Sequence, residues 1–241
     1  MRLLIIRHGD PDYSIDSLTP HGWEEARLLA TRLTQMNIDA FYQSPLGRAQ
    51  DTAKPTLEAL GRTAETCDWL REFPPRMFDP LVGRERVIWD WLPQAWTAEP
   101  AYYDKDAWLH SPAMEAAGVP AEYAKVAAGL DALLERHGYR REGPLYRAVH
   151  ANRDTVALFC HFGVECVLLG HLLGVSPMVL WHGACALPTS VTTLYTEERR
   201  EGVAYFRMAA FGETSHLYAH GVEPSFAARF CETFDSDERH D

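Results

Sequence analysis

Long apolar runs are missing from the sequence, and basic residues are in the minority. No apolar stretch approaches the roughly 20 residues of a membrane-spanning helix, and the N-terminus lacks the length of a signal peptide. Lysine and arginine number 23 against 34 aspartates and glutamates, which gives a net charge of -11. This balance argues against a nucleic-acid partner or an anionic membrane surface. An anion can still bind if arginines are concentrated in one pocket.

Paired cysteines and a recognisable metal motif are missing as well. The chain has five cysteines, an odd number without a CxxC motif: Cys67, Cys160, Cys166, Cys185 and Cys231. Several lie in apolar runs, so we expect reduced thiols in the core of a cytoplasmic protein. His216 and His220 have the spacing of one helix face, but no third ligand is evident, and we predict no metal site.

Length and composition allow one large α/β domain, or a core domain with an insertion. The 241 residues are 46% hydrophobic and 24% charged, which is ordinary for a globular protein. From about residue 73 to 150 the pattern changes to short helical patches among prolines, with four of the seven tryptophans and no strand-like alternation. We interpret this segment as an inserted helical cap, whose tryptophans also make a homodimer plausible.

Two apolar strands are predicted to end in a histidine. Leu3 to Ile6 is a continuous apolar run that ends in Arg7-His8-Gly9, and the run TVALFC at 155–160 ends in His161-Phe162-Gly163. Such runs are typical of strands buried on both faces of a parallel sheet. Because parallel strands end at one edge, where ligands bind in open α/β sheets, His8 and His161 are expected to meet there.

Two helices are predicted to begin with a cap followed by proline. Thr19-Pro20 starts the first and Ser44-Pro45 the second, with a kink or break expected at Pro55. Arg48 lies in the first turn of the second helix and would enter the same crevice. Two arginines, two imidazoles and a helix N-terminus together favour an anion such as phosphate.

The order of these motifs resembles the histidine phosphatase superfamily, which includes the phosphoglycerate mutase-like enzymes. The resemblance covers residues 1–72 and about 154–195. It is carried by Arg7-His8-Gly9, Leu18-Thr19 with Gly22, Ser44-Pro45-Leu46 with Arg48-Ala49 and Thr52-Ala53, and His161 at a strand end. It implies a three-layer αβα fold with a mostly parallel central sheet, no metal and no cofactor.

The resemblance also implies catalytic roles. His8 would accept the phosphoryl group as a phosphohistidine, while Arg7, Arg48 and His161 would hold the phosphoryl oxygens. Neutral imidazole is a competent nucleophile near pH 7, and phosphoryl transfer otherwise needs mainly positioning and charge neutralisation. Ser14 is a further candidate for a phosphate contact.

Glu72 matches the proton donor of the family, the acid that protonates the departing oxygen. Asp79 and Glu85 are further candidates, because Phe73-Pro74-Pro75 replaces the glycine-and-tryptophan stretch that follows the acid in many relatives.

Three functions remain open from the sequence. We rank hydrolysis of a small phosphorylated metabolite first, since the tryptophan-rich, otherwise acidic cap favours an organic or apolar leaving group. A phosphoglycerate mutase-like phosphotransferase is the alternative, supported by four arginines of the segment: Arg71, Arg76, Arg84 and Arg86. A non-catalytic binding protein on the same fold is the third.

Overall fold

The computed structural model describes residues 1–79 and 81–240. The strands are β1 (Arg2–Arg7), β2 (Pro11–Asp12), β3 (Ser17–Leu18), β4 (Ala40–Gln43), β5 (Glu65–Thr66), β6 (Arg76–Asp79), β7 (Arg84–Val87), β8 (Tyr139–Glu142), β9 (Leu145–Ala148), β10 (Thr155–Cys160), β11 (Val191–Arg200) and β12 (Val203–Glu213). The α-helices are α1 (Pro20–Leu33), α2 (Gly47–Leu60), α3 (Pro93–Trp96), α4 (Pro112–Ala116), α5 (Val119–Arg136), α6 (Phe162–Leu173), α7 (Pro177–Gly183) and α8 (Ser215–Tyr218).

Eight strands form the central sheet, in the order β5-β4-β10-β1-β11-β12-β9-β8. The four strands β5, β4, β10 and β1 run parallel, and antiparallel strands extend the sheet beyond β1. Arg7 pairs with Cys160, and Phe159 pairs with Gln43. The carboxyl ends of β1, β10 and β4 therefore lie side by side at one edge.

The two faces of β1 belong to two different apolar cores. Leu3 and Ile5 pack with the helices α5 and α6 on one face, whereas Leu4 and Ile6 pack with α1 and α2 on the other. All four side chains are at most 1% exposed. Because successive side chains of a strand point to opposite faces, a continuous apolar run is what such a central strand requires. The predicted α/β fold is confirmed.

The first predicted helix start is confirmed, and the second is displaced. Thr19 caps α1, with its hydroxyl oxygen accepting a hydrogen bond from the amide of Gly22 at 3.0 Å. Helix α2 begins at Gly47 rather than at Ser44-Pro45, and it continues through Pro55 without a break. Proline has no N–H and therefore removes one backbone hydrogen bond from the helix. The other hydrogen bonds of α2 are enough to keep the helix continuous.

The prediction of an insertion without strands is wrong. Strands β6 and β7 pair as a hairpin, and β8 and β9 form a second hairpin that joins the central sheet through β12. The first hairpin shows no apolar alternation because an ion pair replaces part of its apolar face. Buried Arg86 lies 3.6 Å from Asp79 and 3.0 Å from Asp90. A pattern search for period-two hydrophobicity cannot detect such a strand.

The cysteine prediction is right for part of the set. Cys67, Cys160 and Cys166 are buried free thiols, whereas Cys185 is exposed and does not belong to the core. Within the described residues, no helix is both long enough and apolar enough to cross a bilayer.

Candidate active site

Three side chains follow the three adjacent parallel strands at the same edge of the sheet. His8 follows β1, Ser44 follows β4 and His161 follows β10. Backbone hydrogen bonds continue the sheet into this edge. The amide of His8 donates to the carbonyl of Cys160 (3.0 Å), and the amide of Ser44 donates to the carbonyl of Phe159 (2.9 Å). The positions of these side chains are therefore set by the rigid core of the sheet.

His8 is buried, with 2% of its surface exposed, and its tautomer is set by its own turn. Its Nδ1 lies 2.7 Å from the carbonyl oxygen of Gly9, which can only accept, so Nδ1 carries the proton. The Nε2 lone pair is left available as a nucleophile. Burial lowers the pKa of His8 well below its usual value, and the charges of Arg7 and Arg48 lower it further. The ring is therefore neutral near pH 7.

His161 lies beside His8, with the two ring centroids 5.1 Å apart. Its Nε2 is 2.7 Å from the hydroxyl oxygen of Ser44, which also accepts a hydrogen bond from the amide of Leu46 at 3.2 Å. When the Ser44 hydroxyl donates its proton to Nε2, His161 carries its own proton on Nδ1. Burial first, then His8 and the two arginines, lower the pKa of His161, so this ring is neutral as well. Nδ1 is a buried donor without a partner among the described residues.

Two buried guanidinium groups complete the cluster. Arg7 is 7% exposed and donates from Nη1 to the carbonyl of Ala186 at 2.5 Å. Arg48 is 9% exposed and donates from Nη1 to Oδ1 of Asp16 at 2.6 Å. The Nε atoms of both arginines are buried without a partner among the described residues. Unsatisfied buried donors are costly, and a tetrahedral anion placed between them would satisfy both arginines and His161.

The sequence predicts that the N-terminus of the second helix binds the anion. In the structure the carboxylate of Asp16 lies at the N-terminus of α2 instead. Its Oδ2 accepts the amide proton of Gly47, the first residue of α2, at 2.7 Å while Oδ1 pairs with Arg48. Ser14 is exposed and donates its hydroxyl proton to Asp12 at 2.5 Å. The structure therefore does not bring Ser14 to the cluster.

Glu72 is the carboxyl group next to the histidine strand ends. Its Oε1 accepts hydrogen bonds from the amide of Phe73 at 2.9 Å and from the amide of Val164, three residues after His161, at 3.2 Å. Burial raises the pKa of Glu72, and the two amide bonds together with Arg7 and Arg48 offset only part of that rise. A carboxyl group with a raised pKa can stay protonated and donate a proton.

The other two candidate acids lie in different surroundings. Asp79 is buried in the ion pair with Arg86, and the Glu85 side chain is 73% exposed. The structure brings Glu72 rather than these two to the strand end that carries His161.

Two positioning side chains were not assigned a role from the sequence. The Ser44 hydroxyl orients His161, and the Thr52 hydroxyl accepts the amide proton of Gly9 at 2.9 Å while donating to the carbonyl of Arg48 at 2.7 Å. For Ser44 a signal existed, since it follows a buried strand just as the histidines do. Thr52 ties the turn after His8 to the first turns of α2.

A further carboxyl group, that of buried Glu165, lies one helical turn after His161. It is 1% exposed, Thr192 donates its hydroxyl proton to Oε1 at 2.5 Å, and Oε2 has no partner among the described residues. Burial raises the pKa of Glu165 from 4.5 to about 7.

The raised pKa of Glu165 predicts a pH-dependent stability. The folded state holds this proton more tightly than the unfolded chain, so its stabilising effect is complete below about pH 4.5 and is lost as pH rises to about 7. We expect the free energy of unfolding to fall by about 2.5 kcal/mol between about pH 5 and pH 8 through this group. Urea unfolding of Glu165→Gln at both pH values should lack that fall, and an equal fall in both proteins would contradict it.

The two histidines singled out for helix spacing, His216 and His220, lie away from any ligand cluster. His216 Nε2 is 3.1 Å from the hydroxyl of Thr189, and His220 Nδ1 is 2.9 Å from the carbonyl of His216. Among residues 1–79 and 81–240, no group of three or more histidines, cysteines and carboxylates could hold a metal ion.

Comparison with known proteins gives a family match over most of the chain. The family described as the Histidine phosphatase superfamily (branch 1) matches residues 3–207. A curated relative, the Putative phosphoserine phosphatase 2 of Hydrogenobacter thermophilus, is 36% identical over 106 residues. That match covers 38% of this chain and 52% of the relative, so the chain spans about half the length of the curated relative it matches.

Solved structures share the fold at low sequence identity. A mutant phosphoserine phosphatase from Entamoeba histolytica, in complex with phosphoserine, is similar with a TM-score of 0.60 and 20% identity, over 90% of this chain and 98% of that chain. The alpha-ribazole phosphatase from Shigella flexneri has a TM-score of 0.56 and 21% identity, over 89% of this chain and 97% of that chain. A mycobacterial glucosyl-3-phosphoglycerate phosphatase in complex with VO3 has a TM-score of 0.55 and 20% identity, over 88% of this chain and 98% of that chain.

Proposed function

The chain belongs to the histidine phosphatase superfamily, and on that premise we propose that it is a metal-independent phosphatase of small phosphorylated metabolites, with His8 as the nucleophile. The observation that carries the proposal is the state of His8. This buried imidazole is neutral, its Nδ1 donates to the carbonyl of Gly9, and its Nε2 lone pair is free beside two guanidinium groups. An uncharged nucleophile next to fixed positive charge is what attack on a phosphate dianion needs.

In the first step His8 Nε2 attacks phosphorus. The N–P bond forms while the P–O bond to the alcohol breaks, and the departing oxygen takes the proton of the Glu72 carboxyl group. Arg7, Arg48 and the Nδ1–H of His161 hold the three equatorial oxygens, where negative charge is concentrated in the transition state. These groups supply positive charge and donors without a metal ion.

In the second step water attacks the phosphohistidine. The ionised Glu72 takes a proton from that water, the N–P bond breaks, and inorganic phosphate leaves. His8 regains its lone pair and Glu72 its proton, so both are ready for the next turnover. Using one carboxyl group first as acid and then as base is consistent with its intermediate burial and raised pKa.

The names of the relatives suggest the substrate class. Phosphoserine, phosphoglycerate derivatives and alpha-ribazole phosphate are small phosphomonoesters. The nitrogen atoms of Arg7, Arg48 and His161 that have no partner among the described residues offer hydrogen bonds to one phosphoryl group. We propose a metabolite of this kind as the partner of the site, in a cytoplasmic protein, with homodimer formation as a prediction from the tryptophan-rich segment.

Phosphoryl transfer to a second hydroxyl is the less favoured alternative. A bisphosphorylated intermediate needs additional cations at the pocket, and the arginines of the inserted segment are the sequence candidates. Three of them pair with carboxylates instead, namely Arg71 with Asp68, Arg76 with Glu85 and Arg86 with Asp79. Such pairs neutralise the charge that a mutase would use.

One assay separates the three hypotheses. The protein is mixed with 3-phosphoglycerate and a trace of the bisphosphate in the presence of a chelator, and inorganic phosphate and 2-phosphoglycerate are both quantified. Phosphate release from this ester, or from a panel of metabolite phosphates, supports the hydrolase, while isomerisation supports the mutase. A folded protein that releases no phosphate and acquires none from the whole panel would revive the non-catalytic hypothesis.

A further inference from the structure

Two aromatic rings lie at the border of the phosphate cluster. Phe162 is the first residue of α6 and directly follows His161, and Trp89 follows β7 in the inserted segment. Their ring centroids are 6.4 Å apart with an interplanar angle of 82°, an edge-to-face arrangement. Both side chains are partly exposed, although the histidines and arginines beside them are buried.

One ring of the pair lies near a group assigned to the phosphoryl oxygens, and the other lies near the group assigned to the leaving oxygen. On one side the guanidinium carbon of Arg7 is 5.8 Å from the centre of the Phe162 ring. On the other side Glu72 and Trp89 approach the same glycine. A Cβ placed on Gly163 would lie 2.6 Å from Glu72 Oε1 and 2.7 Å from Trp89 Nε1.

The indole of Trp89 is held in place rather than free on the surface. Its Nε1 donates a hydrogen bond to the carbonyl of Phe73 at 3.0 Å, and the ring of Phe73 is buried against Trp181 at 5.6 Å. The polar atom of the indole is thereby satisfied within the protein. What remains accessible on both rings is apolar surface, fixed before any substrate binds.

We infer that Phe162 and Trp89 form the leaving-group subsite, and that the preferred substrate is a phosphomonoester whose alcohol carries an aromatic or heteroaromatic ring. The inference rests on the proposed function. An ester held by Arg7 with its bridging oxygen at Glu72 has these two rings within reach of its alcohol, because Phe162 lies beside Arg7 and Trp89 lies beside Glu72. A planar ring there gains apolar burial and edge-to-face contact that a short alkyl or sugar-acid chain does not.

A matched pair of esters tests the inference. 2-Phenylethyl phosphate and ethyl phosphate are both esters of primary alcohols, so their leaving groups have similar acidity and differ in the ring. We expect kcat/KM to be at least about tenfold higher for the phenylethyl ester. The same ratio is then measured in Phe162→Leu, Phe162→Ala and Trp89→Leu.

The variants distinguish aromatic contact from general packing. Phe162→Leu and Trp89→Leu each keep an apolar side chain and should lower the ratio several-fold, while Phe162→Ala should bring it close to one. Phe234→Ala is the matched control, because that ring is 93% exposed and packs edge-on against His240 near the C-terminus. Its ratio should equal that of the wild type.

Two results overturn the inference while leaving the proposed function intact. One is His8-dependent hydrolysis of both esters with a wild-type ratio near one. The other is a high ratio that Phe162→Ala and Trp89→Leu both preserve. Loss of hydrolysis of every ester in the folded wild-type protein is a different result, because it rejects the phosphatase itself.

Discussion

Replacing His8 by alanine is expected to lower kcat/KM for p-nitrophenyl phosphate by about 10⁴-fold or more, which is the scale of effect seen when a covalent nucleophile is removed. The remaining arginines and His161 can still bind the phosphate, but no group in the cluster then replaces the Nε2 lone pair of His8. The substrate should therefore still bind while turnover stops. Steady-state kinetics measures the loss, and rapid denaturing quench at alkaline pH, which preserves the N–P bond, followed by mass spectrometry measures the adduct of one phosphoryl group.

The same experiment separates a chemical role for His8 from a packing role. The imidazole is buried, so thermal unfolding and inorganic phosphate binding are measured on His8→Ala to show that the fold and the anion site persist. His110→Ala is the matched control, because its side chain is 72% exposed in the inserted segment, and it should retain wild-type activity. A phosphoryl adduct that survives in His8→Ala, or a loss below tenfold, would contradict the assignment.

The site could be predicted from sequence where it depends on the sheet. Leu3 to Ile6 and the run at 155–160 are apolar on both faces, which identifies central parallel strands, and parallel neighbours deliver whatever follows them to one edge. The placement of His8 and His161 at one edge follows from this pattern, whereas their catalytic roles come from the family resemblance. Arg48 was placed nearby although α2 begins at Gly47 instead of Pro45, because a shift within one turn hardly moves its side chain.

The remainder depends on tertiary contacts that leave no local pattern. The contact of Ser44 with His161 joins residues 117 positions apart. Asp16, which accepts from Arg48, has a positive φ of 48°, a backbone conformation that the sequence pattern does not predict. The sequence pattern does not predict the hairpin of β6 and β7, because buried Arg86 and its partners Asp79 and Asp90 occupy positions where a strand usually has apolar residues. Ser14 matches a phosphate-contacting position of the family only by its place in the sequence, and its hydroxyl donates to Asp12 instead.

Glu72→Gln is expected to lower kcat/KM for an alkyl phosphate such as ethyl phosphate by about 10²- to 10⁴-fold, the range typical of a positioned general acid. Glutamine keeps the oxygen that accepts from the amides of Phe73 and Val164, so the local structure is preserved. It removes only the transferable proton. For p-nitrophenyl phosphate, whose leaving group needs little protonation, the loss should be much smaller.

The pH dependence of kcat/KM tests the same assignment independently, since this constant reports the steps up to phosphoryl transfer and not the later hydrolysis. The proton donor is the protonated carboxyl group, and burial raises the pKa of Glu72 above 4.5. Activity on the alkyl ester should hold through the pH range below that raised value and fall as pH rises through it. In Glu72→Gln, kcat/KM should be lower at every pH and should not show this fall with rising pH.

Glu85→Gln is the matched control for Glu72, because it removes a carboxyl group that is 73% exposed on the hairpin of β6 and β7. Its rates and pH profile should match those of the wild type for both esters. If Glu72→Gln slowed both esters equally and left the pH limb in place, Glu72 would be acting on structure alone. The proton would then come from another group. If the alkyl ester alone is slowed and the limb disappears, the raised pKa that burial gives to Glu72 is what lets hydrolysis proceed above the pH at which an exposed glutamate would have lost its proton.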